Sequence, residues 1–143
     1  MKNVLWVLLL VLTACSADVR RFVPPSAELA QMAHLIALSD PAETLLPSEG
    51  HFLFITSVDG KQSKSDWEVR KWPNDVYLTP GTHRFSVLYQ HTGLTASAQL
   101  EIDAKKGTAY YVHRHAGAYG VRFWLTEGKQ DGPNVGRLLS APE

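Results

Sequence analysis

The side chains with most capacity for chemistry are few. His113 and His115 form an H-x-H pair inside residues 108–115, a stretch that reads as a strand. Alternation along a strand puts both imidazoles on one face, their α-carbons about 7 Å apart, an arrangement able to chelate copper or zinc. A full ligand shell would need His51, His83, His91 or a carboxylate from a neighbouring strand. The simpler alternative sets Tyr110 and Val112 in the core, with Tyr111, His113 and His115 on the solvated face and Arg114 at the strand end. Trp67 and Trp72 offer a second possibility, because flat exposed aromatics stack on sugar rings or on partner proteins. They lie in a polar stretch with Lys64, Asp66, Glu68, Arg70 and Lys71, which favours partial exposure, whereas Trp124 sits between Phe123 and Leu125 and reads as packed. The competing reading is that all three tryptophans cover the edges of the core.

Signatures of catalysis are missing from the sequence. It contains no G-x-S-x-G elbow, no H-E-x-x-H, no phosphate-cradling glycine loop and no dinucleotide fingerprint, and its acidic residues are isolated in turns and at strand ends. The chain is therefore expected not to be an enzyme and to use no dissociable cofactor. Lysine plus arginine equals aspartate plus glutamate at 14 each, with the basic residues scattered, so nucleic acid is not an expected partner. Cys15 is the only cysteine, which excludes an intramolecular disulfide and a cysteine-rich zinc site. Stability must come from an ordinary core, and 143 residues with 45% apolar content fit one compact domain.

The position of Cys15 gives it meaning. Lys2 supplies a positive n-region, and Val4 to Leu12 is an apolar run of nine residues. At about 1.5 Å per helical residue it covers roughly half of a ~30 Å hydrocarbon core, so it suits an export signal better than a mature span. The run ends in Leu12-Thr13-Ala14-Cys15, which resembles the lipobox of bacterial lipoproteins. That resemblance implies a signal peptide over residues 1–14, diacylglycerol on the Cys15 sulfur, cleavage before Cys15 and acylation of the new amino group. Two or three acyl chains at about 0.8 kcal/mol per buried methylene make attachment effectively permanent. Ser16 in the following position resembles the outer-membrane default, which implies a domain facing the periplasm.

The elements that must position these groups follow. Residues 15–25 read as lipidated cysteine and tether, closing in Pro24-Pro25. Residues 26–39 read as a helix: Ser26 can cap it, Glu28 lies in the first turn, and Leu29, Met32, Ala33, Leu35 and Ile36 recur at helical spacing. From residue 49 to 127 the pattern becomes that of short strands, expected at 51–58, 67–72, 76–79, 82–90, 95–103, 108–115 and 119–126. The strand at 51–58 has apolar groups on both parities, which suggests burial on two sides or a place at the sheet centre. The turns between carry Asp59-Gly60, Pro80-Gly81 and glycines at 93 and 107. Residues 128–143 read as coil, with one short element around Val135 to Leu139. The expected fold is mainly β, an antiparallel sandwich of six to seven strands preceded by one short helix.

Three stretches carry a wider resemblance: Val58-Asp59-Gly60-Lys61, Val76-Tyr77-Leu78-Thr79-Pro80-Gly81-Thr82-His83, and Lys106-Gly107-Thr108-Ala109-Tyr110-Tyr111-Val112. Over about residues 50–127 they resemble the small transthyretin-like β-sandwich domains, PEGA-type and relatives, found in bacterial lipoproteins, although the full P-E-G-A string is absent. The resemblance implies a non-catalytic binding or structural module and brings no catalytic residues. The expected protein is a membrane-anchored envelope lipoprotein whose partner is an envelope protein or a glycan, with Trp67 and Trp72 as the contact surface. The alternative is a metal-binding envelope protein that uses His113 and His115.

Overall fold

The computed structural model describes residues 26–40, 50–63 and 72–140. Two five-stranded sheets enclose one core, so the mainly-β sandwich expected from the sequence is the observed architecture. The chain begins with a single helical turn, α1 (Ser26–Leu29), and then forms ten strands: β1 (Ala33–Ala37), β2 (Phe52–Val58), β3 (Lys61–Gln62), β4 (Asp75–Leu78), β5 (Gly81–His91), β6 (Leu94–Ala104), β7 (Ala109–Gly117), β8 (Gly120–Glu127), β9 (Asn134–Val135) and β10 (Arg137–Ser140). One sheet has the order β4-β1-β7-β8-β9 and the other β10-β6-β5-β2-β3.

Alternation explains the core. Phe85, Val87 and Tyr89 of β5 point inward, as do Ala96, Ala98, Leu100, Ile102 and Ala104 of β6, Tyr110 and Val112 of β7, and Val121, Phe123 and Leu125 of β8. These meet Leu53 and Ile55 of β2 and Leu35 of β1, all fully buried. Tyr110 brings a hydroxyl into this apolar layer and satisfies it by accepting from the Lys105 backbone N–H at 2.9 Å.

The turns do what their residues allow. Asp59 and Gly60 both have positive φ, 50° and 76°, between the paired residues Val58 and Lys61, which makes the two-residue hairpin turn favoured by strand twist. His83 links that turn to the next one: its Nδ1 lies 2.7 Å from the Asp59 carboxylate, and its Nε2 lies 2.7 Å from the Thr79 carbonyl. The hydrogen bond from His83 holds the Asp59 carboxyl below the usual carboxylate range. The histidine of the L-x-P-G-x-H stretch thus has a structural task in this chain.

Three expectations need correction. Helix 26–39 is only one turn long, and residues 33–37 form a strand. Ala33, Leu35 and Ala37 are sequestered at 0, 0 and 2% exposure, and β1 takes β4 and β7 as backbone partners, which outweighs a short helical periodicity. Its pairing with β7 is parallel, so the sandwich is not wholly antiparallel. Residues 134–135 and 137–140, expected as coil with one short element, form two strands on different sheets, β9 on β8 and β10 on β6. Gly136 makes the crossing between them at φ +70°, where an added Cβ would come within 2.6 Å of the Glu101 carbonyl oxygen. The described strands thus number ten rather than six or seven, two of them only two residues long. The expected strand at 67–72 falls mostly outside the described residues.

Candidate functional site

Strand alternation places a set of polar groups at one open end of the sandwich, where they are held partly dry. The inward parity of β5 continues from Tyr89 to His91, that of β2 runs back from Leu53 to His51, and that of β7 extends from Val112 to Arg114. Beyond β1, Asp40 pairs with His51 through two backbone hydrogen bonds of 2.8 Å. Five titratable side chains from four stretches of chain therefore converge at one end of the core.

Their contacts form a chain. The Arg114 Nη2 donates to the Asp40 carboxylate at 2.6 Å, and the guanidinium lies over the Tyr89 ring, 5.5 Å from its centroid. The Tyr89 hydroxyl is 2.5 Å from Nδ1 of His51. The His51 ring stacks on His91 at 3.8 Å between centroids and 9° between planes. The Arg114 side chain is only 14% exposed whereas Asp40 is 73% exposed, so the carboxylate reaches the guanidinium from the solvent side. The Arg114 Nε is buried and has no hydrogen-bond partner among the described residues, an unsatisfied donor of the kind that costs about 1–3 kcal/mol. Burial lowers the pKa of His51 below the ordinary histidine value, and the neighbouring His91 and Arg114 push the same way against Asp40. Beside the cluster a groove of about 290 Å³ lies at the β5–β6 turn, with His91, Phe52 and Leu94 among its walls.

The opposite end of the sandwich receives the chain. Gly107 N–H donates to the Met32 carbonyl at 3.1 Å, and β1 then runs beside β7 from His34 opposite Ala109 to Ala37 opposite Val112. From Ala33 to Asp40 is seven steps of about 3.3 Å, so the cluster lies roughly 23 Å from the end where α1 joins.

The residues singled out from sequence are placed elsewhere. His113 and His115 do share the outer face of β7, but they differ in environment. His113 is half-buried and stacks on Trp124 at 5.1 Å. The Thr126 hydroxyl donates to the Gln130 carbonyl at 3.1 Å, so it accepts from His113 Nε2–H at 2.8 Å and occupies that nitrogen. Burial also lowers the His113 pKa. His115 is exposed, opposite Arg122 in the ladder. Among the described residues no group of three or more histidine, cysteine, aspartate or glutamate side chains is placed to hold a metal ion. Trp72 is half-buried, tilted against Phe54 at 6.0 Å on the outer face of the second sheet; Trp67 and Cys15 lie outside the described residues. Trp124 is on the outer face of β8, packed against His113 rather than in the core.

Sequence reasoning missed the five-residue cluster. Its signal was present in Arg114, a charged residue at a core-facing parity, which is uncommon unless the charge has a partner or a task. Comparison of the chain with protein-family models, with curated proteins and with solved structures finds no match.

Proposed function

We propose that the protein is a lipid-anchored envelope lipoprotein, held in the outer membrane facing the periplasm, that acts as a non-catalytic binding or structural module. The leader and the Leu12-Thr13-Ala14-Cys15 stretch support the anchor, with the only cysteine at the position where lipidation needs it. The observation that carries the binding reading is the polarity of the fold: the chain joins the sandwich beside Met32 and Gly107, while the titratable cluster lies at the far end. A domain tethered through residues 16–25 would hold its joining end toward the bilayer and offer the other end to partners in the periplasm. The transthyretin-like resemblance of residues 50–127 agrees with a module that presents surfaces and performs no chemistry. Trp67 and Trp72 remain the proposed second contact, for an envelope protein or glycan.

Fractionation tests the reading. Wild-type chain is expected in the membrane pellet and resistant to high salt, and Cys15→Ala is expected to leave it as a folded protein. Retention of Cys15→Ala in the membrane at wild-type level would overturn the lipid anchor. For the tryptophan surface, Trp67→Ala with Trp72→Ala is expected to abolish co-purification of envelope partners at unchanged thermal stability. Unchanged co-purification would remove that surface from the account.

A further inference from the structure

We infer that the Arg114 end of the sandwich is a binding site for the carboxylate of an exchangeable ligand, which takes the place of Asp40 on the guanidinium. The inference rests on the binding-module reading and names the chemistry of its far end. An arginine side chain 14% exposed has lost most of its water, yet among the described residues it has one carboxylate and one aromatic face, and its Nε has no acceptor. A guanidinium offers five donors in a planar fork suited to two-point binding of a carboxylate. The Asp40 carboxylate contacts the guanidinium at Nη2, at 2.6 Å, and at 73% exposure it does so from the solvent side, where a ligand could compete with it. Asp40 therefore shows both the ligand chemistry the site accepts and the incompleteness of its present occupant.

The surrounding groups fit the same ligand. The groups facing His51 are Asp40 from beyond β1, Tyr89 and His91 from β5, and Arg114 from β7. A bound carboxylate beside these groups favours protonated His51, so binding takes up a proton and weakens as pH rises through the range in which His51 titrates. His91 is a wall of both the cluster and the groove, whose Leu94 surface would receive the uncharged remainder of the ligand. The rings on the outer face of the first sheet, His34 on Tyr77 and His113 on Trp124, spend their faces on one another.

The test is titration of the full chain in detergent with succinate at constant ionic strength. It is followed by the imidazole proton resonances of His51 and His91 and by the unfolding temperature. Saturable movement of both rings is expected, tighter at pH 6 than at pH 8, and lost in Arg114→Gln. Asp40→Asn removes the internal competitor; if Asp40 occupies the guanidinium nine-tenths of the time, affinity rises about tenfold. Asp40→Asn is decisive if Arg114→Gln fails to fold. The inference is overturned if succinate leaves both rings unmoved, if inorganic phosphate binds where succinate does not, or if Asp40→Asn weakens binding. Failure here leaves membrane attachment untouched, and solubility of the wild-type chain would leave this titration standing, so the two readings fail separately.

Discussion

Replacing Arg114 with methionine asks whether the guanidinium holds the fold together, and the structure supplies the arithmetic. The ion pair with Asp40 has one partner 73% exposed, so it is worth no more than about 0–1 kcal/mol. Lying over the Tyr89 ring contributes about 0.5–1 kcal/mol. Against these stands the unpartnered buried Nε, at about 1–3 kcal/mol, which methionine does not carry. Methionine also keeps most of the aliphatic stem and fills irregular space well. The balance runs from a net loss of about 1 kcal/mol to a net gain of about 2 kcal/mol, so Arg114→Met should cost no more than about 1 kcal/mol, or a few degrees of unfolding temperature in a domain of about 100 residues. Urea unfolding of wild type and variant, read by tryptophan fluorescence and by circular dichroism, measures it. A double-mutant cycle with Asp40→Asn should give a coupling below about 1 kcal/mol. A loss above about 2 kcal/mol would refute the reasoning, because Arg114 would then be a structural tie.

Other outcomes follow from the same geometry. Leu35→Ala should cost about 2–5 kcal/mol because that side chain is fully buried, while Ile36→Ala on the outward parity should cost clearly less; equal losses in thermal melts would contradict the strand at 33–37. Gly136→Ala should cost at least about 2 kcal/mol, since it places a Cβ at φ +70° and 2.6 Å from a backbone oxygen; an unchanged urea midpoint would mean the crossing relaxes freely. His51 and His113 have pKa values lowered from 6.5 in the folded chain, so the unfolded chain binds more protons in that range. Their contribution is therefore fully present above pH 6.5 and is lost as pH falls through the lowered values. Urea midpoints at pH 7.5 and pH 5 should differ less in the His51→Gln, His113→Gln double variant than in wild type, and an equal pH dependence would contradict the assignment.

The strands that were legible are those whose signals are local. The alternation Ala96, Ala98, Leu100, Ile102 gave β6 directly, and the turns at Asp59-Gly60 and Pro80-Gly81 marked the ends of β2 and β4 because proline restricts φ and glycine accepts positive φ there. What was not legible depends on distant partners. Residues 33–37 fit a helix or a strand equally well over five residues, and the choice is made by β7, where His34 meets Ala109. The C-terminal strands are too short to show a period, and they exist because Gly136 lets the chain step from one sheet to the other. β2 looked buried on both sides from Phe52 and Phe54, yet only the two-residue β3 lies beyond it, and those rings are half-buried on the outer face, with Trp72 against Phe54. For the site, the H-x-H pair is legible because it is contiguous. The Asp40, His51, Tyr89, His91 and Arg114 cluster draws on separate stretches, and only the inward parity of Arg114 hinted at it.

The central claim, a domain held to a membrane through Cys15, is tested most directly by the mass of the mature N-terminal peptide. The account predicts a peptide that begins at Cys15 and carries the mass of a diacylglyceryl group on sulfur with a further acyl chain on nitrogen. A chain that still begins at Met1, or one cut elsewhere with an unmodified Cys15 thiol, would contradict it.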